Sequence, residues 1–174
     1  IFKLVFFVLV AHLFLGCQNQ SEQVGRKKEM ADTLLAVKPL NDTINVVAVG
    51  DIMLGSSFPS KQGLPPDDGQ NSFKAVADYL KGDIVFGNLE GCFLDSGTPK
   101  KCKDSTAKNC YRFAMPNRYV NHFKNAGFNV LSVANNHVGD FGEIGRKNTA
   151  RLLDSANINY AGQLTKPSTV FEVN

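Results

Sequence analysis

The sequence contains no tryptophan, three histidines and four cysteines, and its charges nearly balance at +3. Each shortage removes a class of function. The cysteines form no CxxC pair and no histidine stands at a matching spacing, which argues against a structural zinc site built on them. So mild a positive charge argues against a nucleic-acid partner, which calls for a concentrated basic face. The only long apolar run, residues 2–15, is short of the roughly 20 residues that span a bilayer. What remains is an ordinary globular composition, 43% hydrophobic, in 174 residues, enough for one domain or most of one.

That apolar run carries its own information. It is interrupted only by Lys3 and His12, ends at Gly16-Cys17, and gives way to polar Gln18-Asn19-Gln20-Ser21-Glu22. A basic residue, a short hydrophobic stretch and a small residue at its end are the marks of a secretory signal. Phe14-Leu15-Gly16-Cys17 resembles a bacterial lipobox, which implies lipidation at Cys17; an ordinary signal peptide or an uncleaved anchor is the alternative. Lipid chains would anchor the protein, since each buried CH₂ contributes about 0.8 kcal/mol. The expected location is therefore the extracytoplasmic side of the cell envelope, as an exported, membrane-anchored lipoprotein. Residues 18–42, polar and weakly periodic, read as a flexible tether, and 43–174 as the folded part. The chain opens on Ile1 and closes in a run that reads as an interrupted strand, so both ends are expected to be truncated.

From residue 43 the pattern changes. Residues 44–49 are β-branched and nearly continuous, which predicts a strand buried on both faces. A helix is predicted over 71–82, capped by Asn71-Ser72, with Phe73, Val76, Ala77 and Leu80 inward. Strands follow at 83–87 and 128–134, with a helix at 116–127 carrying Tyr119, Val120 and Phe123 on one face. A last helix, 142–156, should turn Ile144, Leu152, Leu153 and Ala156 inward, before short strands at 158–161 and 169–173. Strands alternating with helices predict an α/β fold with a largely parallel sheet and flanking helices. The lysine-rich stretch 91–110 is long for a connection and reads as an insertion over the site or a disulfide-pinned loop. Within it, Cys102 and Cys110 are close enough to pair in an oxidising compartment, leaving Cys92 over. Lys100, Lys101, Lys103 and Lys108 there read as a solvated loop or as a guide for an anionic polymer.

Chemistry gathers behind the strands. The first runs into Gly50-Asp51, the second into Asn88-Leu89-Glu90, and the third into Asn135-Asn136-His137, with Asp140 just beyond. In parallel sheets ligands bind outside the carboxyl ends of the strands, so these clusters should face one pocket. Carboxylates, an amide and an imidazole form a mixed O/N set suited to a divalent metal ion. Met53 suits core packing better than ligation. Asn135 suits a turn, and Asp140 either orients His137 or caps the following helix.

Val49-Gly-Asp-Ile-Met-Leu-Gly55, Asp83-Ile-Val-Phe-Gly-Asn-Leu-Glu90 and Ser132-Val-Ala-Asn-Asn-His-Val-Gly-Asp140 resemble, in order, the signatures of the CapA, or poly-γ-glutamate capsule synthesis, family; Asn157-Ile-Asn-Tyr-Ala-Gly162 fits the segment that follows. That family is similar in fold to calcineurin-like metallophosphoesterases. The resemblance implies a layered α/β metallophosphoesterase-like fold and a metal site at Asp51, Asn88 and Asn136, to which the strand-end reading adds Glu90, the ion being Mn, Fe, Zn or Mg. It also implies His137 as the acid/base group, with Asp140 beside it. An anionic polymer such as poly-γ-glutamate and membrane-embedded synthesis subunits would be the partners. Met53 stands where the superfamily has its first His, and neutral Asn88 where a carboxylate bridges two ions. A scaffold that kept the fold and lost catalysis is thus the second reading.

Overall fold

The computed structural model describes residues 43–102 and 109–173. Four strands form the main sheet: β1 (Val46–Ile52), β2 (Ile84–Leu89), β5 (Val130–Ser132) and β6 (Asn159–Ala161). They lie in the order β1-β2-β5-β6, and every neighbouring pair is parallel. The α/β class with a parallel sheet is as the sequence indicates. Two short strands, β3 (Cys92–Phe93) and β4 (Ala114–Met115), pair in a separate small sheet. The helices are α1 (Val120–Asn125) and α2 (Gly142–Ser155).

A sheet that grows strand by strand in one direction through right-handed crossovers receives all its connections on one face. The core follows from that. Val85 and Leu89 of β2, Leu131 of β5 and Tyr160 of β6 pack with Leu80, Tyr119, Phe123 and Leu153 in one buried cluster. Their intervening neighbours Ile84, Phe86, Asn88, Val130 and Ser132 are only half-buried. The period-two alternation of β2 therefore sorts Asn88 onto the opposite face from the core.

Several expectations need correction. The first strand is not buried on both faces: it is the sheet's edge, with Val46 61% exposed and Val49 also exposed. Its apolar run reflects β-propensity, which the sequence pattern could not separate from burial. Residues 71–82 form no α-helix. A 3₁₀ segment spans Lys74–Tyr79 with no side-chain cap, Val76 is exposed, and only Phe73 and Leu80 reach the core. Of the residues expected inward on α2 and just after it, Leu153 and Ala156 are buried and Leu152 packs against the core, with Gly145 and Thr149 buried beside them, whereas Ile144 is exposed. The stretch 91–110 is not wholly an insertion, because β3 opens it. Residues 169–173 form no strand. The 116–127 helix does bury Tyr119, Val120 and Phe123, although its first turn is 3₁₀.

Candidate active site

One irregularity in β1 creates the site's first contact. The β1–β2 register runs Val46 opposite Ile84 through Ala48 opposite Phe86, then slips so that Asp51 lies opposite Asn88. Such a bulge re-aims a side chain at a strand's end. The Asn88 amide Nδ2 donates to Asp51 Oδ1 at 2.7 Å and to Glu90 Oε2 at 3.1 Å. Glu90 is held by its own N–H, which donates to the Ile52 carbonyl at 3.1 Å. Behind it the chain turns at Gly91, whose φ of +104° suits glycine, and a Cβ there would meet Phe113 Cβ at 3.0 Å.

The third segment arrives from β5. Asn135 builds the turn: its Oδ1 accepts the N–H groups of His137 (3.0 Å) and Val138 (2.9 Å). Its Nδ2 donates to the Leu89 carbonyl at 2.7 Å and to Asn88 Oδ1 at 3.2 Å. Because two N–H groups and one carbonyl fix which end of Asn135 is oxygen, the Asn88 amide is fixed in turn: oxygen toward Asn135, N–H₂ between the two carboxylates. Asn136 is exposed and enters the network through its carbonyl, 3.5 Å from Lys101 Nζ. Met53 is not core packing; it is exposed, and its sulfur accepts the Gly55 N–H at 3.1 Å.

His137 is nearly buried and stacks on Phe113, ring centres 4.3 Å apart. Its Nδ1 lies 2.7 Å from Asp140 Oδ2, and its Nε2 faces Glu90 Oε1 at 3.7 Å. A ring nitrogen that close to a carboxylate oxygen is placed to donate its hydrogen to it. Asp140, wholly buried, also accepts the Phe113 N–H at 2.9 Å. Between orienting His137 and capping α2, the structure shows the former: the residue before α2 is Phe141, and no side chain caps it.

Lys101 reaches this pair as well. Its Nζ stands 3.2 Å from Asp140 Oδ1 in an ion pair whose angle falls short of an aligned hydrogen bond. Cys102 and Cys110 form a disulfide, with Cα atoms 6.4 Å apart. Lys103, Lys108 and Cys17 lie outside the described residues, and Lys100 borders the site through its backbone. Cys92 is a buried free thiol; burial, with the Asp140 charge nearby, pushes it up to about 12. Asn135 builds the turn the sequence assigned to it, and Lys101, expected as part of a solvated or polymer-guiding run, stands at Asp140 instead. Phe113 is the site residue that strand-end reasoning passed over, and nothing local marks it.

Asp51, Glu90 and His137 thus converge on one rim, although among the described residues no three His, Cys, Asp or Glu side chains enclose a metal position. The Asp51 and Glu90 oxygens do converge on a shared point, where they take two hydrogens of one amide. Carboxylate oxygens are ligands of a kind that a divalent cation takes, and in this structure the Asn88 amide nitrogen occupies the point between them. A cavity of about 770 Å³ lies elsewhere, between α2 and residues 160–165, and of the residues around His137 it is lined by Val138.

The family model for bacterial capsule synthesis protein PGA_cap matches residues 45–173. The chain belongs to this family. It is 35% identical over 123 residues to the capsule biosynthesis protein CapA of Bacillus anthracis, covering 70% of this chain and 29% of that protein. It is 31% identical over 126 residues to the uncharacterized protein y4sH of Sinorhizobium fredii, covering 25% of that protein. The chain thus spans less than a third of the length of these relatives. The PGA_cap match takes in every site residue described above, from Asp51 to Asp140.

Proposed function

We propose that this chain carries the site of an exported capsule-synthesis protein that acts on an anionic surface polymer, such as poly-γ-glutamate, by metal-assisted hydrolysis. The carrying observation is the convergence of Asp51, Asn88, Glu90 and His137 from three separate segments within hydrogen-bonding range of one another or nearly so. Family membership supports the capsule role. Asp51 and Glu90 would hold a divalent cation, with Asn136, exposed beside His137, as a further donor. When bound, such an ion polarises a phosphoryl or carbonyl oxygen and acidifies water. His137 would move the proton at Nε2, with Asp140 fixing the ring by taking the Nδ1 hydrogen. Cys17 would carry the lipid that holds the protein at the membrane, beside membrane-embedded synthesis subunits.

The second reading, a polymer-binding scaffold without catalysis, draws on Asn88. Its N–H₂ already satisfies both carboxylates, with no net charge required at that point. Metal content of the full-length protein, with polymer hydrolysis by wild type and His137→Ala, separates the two. Bound metal with turnover abolished in the variant supports the enzyme. Polymer binding without metal or turnover supports the scaffold. Incorporation of labelled fatty acid, lost in Cys17→Ser, tests the anchor.

A further inference from the structure

We propose that the cavity between α2 and residues 160–165 is a subsite for a carboxylate-bearing chain, with Arg146 and Arg151 taking its carboxylates. This rests on the reading of an anionic polymer as the ligand, and needs neither the metal nor hydrolysis.

The cavity, about 770 Å³, is of the size that holds a multi-atom organic ligand. Its two walls are tied to each other. Gln163 Nε2 donates to the Arg146 carbonyl at 3.3 Å, and Lys166 Nζ stands 3.6 Å from Asp154 Oδ1. The Gly162 N–H donates to the Lys166 carbonyl at 3.0 Å, which closes the turn that forms the wall facing α2.

Charge decides the ligand. Two carboxylates line the cavity, and each already has a lysine: Glu143 has Lys147 at 3.4 Å, and Asp154 has Lys166 together with the Tyr160 hydroxyl. The arginines have no such partner. Arg151 donates to the neutral Asn148 Oδ1 at 2.9 Å and pairs with no carboxylate among the described residues. Arg146 is half-buried, and its guanidinium makes no hydrogen bond or ion pair among the described residues. A cation drawn partly out of water without an acceptor is costly, and a guanidinium fork matches a carboxylate. Gly139 leaves room for that guanidinium, since a Cβ there would overlap it. Val138, Ala150, Tyr160 and Leu164 line the same cavity and give the aliphatic part of a chain a surface to pack on. Val138 and Gly139 belong to the turn from His137 to Asp140, so a chain held here borders the candidate active site.

The test is fluorescence anisotropy of a short labelled γ-linked glutamate oligomer titrated with full-length protein. Arg146→Gln and Arg151→Gln should each weaken binding roughly tenfold, and the double variant further. Arg146→Lys should fall between wild type and Arg146→Gln, because it keeps the charge and loses the fork. Arg151 is exposed on α2, so Arg151→Gln carries the test if Arg146→Gln fails to fold. Lys81→Gln, which removes a surface cation paired with Asp78, should bind as wild type does. Equal affinity in wild type and the double variant, or an equal loss in Lys81→Gln, overturns the subsite and leaves the polymer reading standing. A wild type that binds no oligomer overturns the polymer reading and the subsite with it. Tighter binding of polyphosphate, lost with the same arginines, overturns the carboxylate assignment.

Discussion

His137 and Asp140 sit at 8% and 0% exposure behind Phe113 and Lys101, whereas Asp51 stands exposed at the end of the edge strand, with Glu90 half-buried between the two groups. The first group is built into the domain. Asp140 gathers a side chain from its own turn, a backbone N–H from next to β4 and a lysine from the disulfide-tied loop. The second rests on a bulged edge and one amide. Burial explains the difference in kind. A carboxylate out of water needs several fixed partners, while one in water needs none. It follows that the buried His137–Asp140 side is coupled to folding and the exposed Asp51 end is not.

The strongest way to break that comparison is Asp140→Ala. It leaves the Phe113 N–H and the nearly buried His137 ring without their acceptor, so unfolding stability should drop by about 2–4 kcal/mol. Urea unfolding followed by circular dichroism reads it. An unchanged midpoint would show that the buried group is not coupled to folding at all.

The two faces of the sheet sharpen the same point. Phe123 is fully buried against Phe93 and Phe73, and Phe123→Ala should cost about 3–5 kcal/mol. Val46 on β1, apolar and equally strand-like in sequence, is mostly exposed, so Val46→Ala should stay within about 0.5 kcal/mol. Equal losses at the two positions would mean that β1 is covered in solution.

Cys92 gives a pH handle on the buried side. The thiol is held up at about 12 by burial first and by Asp140 second. In the unfolded chain a thiol ionises near about 8.5. The folded state therefore binds more protons across that interval. The contribution is intact below the unfolded value and falls as pH rises, by about 1.4 kcal/mol per unit. Comparing wild type with Cys92→Ala between about pH 8.5 and 10, below tyrosine ionisation in the unfolded chain, should show the extra slope in wild type alone.

How much of this was legible beforehand follows from the same contrast. The parallel sheet was readable because alternating strands and helices allow few arrangements. Asp51, Glu90 and His137 were readable because polar residues directly behind apolar strands end up at one rim. Edge or centre was not readable for β1, since neighbours in a sheet are set by the whole topology. Nor was the place of Lys101, thirty-six residues from His137 in sequence and brought beside it where the loop's backbone N–H groups donate to the Asp140 carbonyl. The apolar spacing of residues 73–80 suggested a helix, but the segment is a 3₁₀ turn that sends Val76 into solvent.

The smallest expected change in stability is also the one that most directly separates the two readings of the rim. Asp51 is exposed and makes one side-chain hydrogen bond here, from the Asn88 amide, which an asparagine oxygen could still accept. Asp51→Asn should therefore leave unfolding within about 0.5 kcal/mol of wild type. What it removes is one of the negative charges facing the shared point, and a hard cation depends on that charge. Titration calorimetry with Mn²⁺ or Mg²⁺ should then show binding to wild type and its loss in Asp51→Asn. Equal binding by both proteins would mean that the bulge in β1 aims Asp51 at Asn88 for structure alone, and the rim would belong to the scaffold reading.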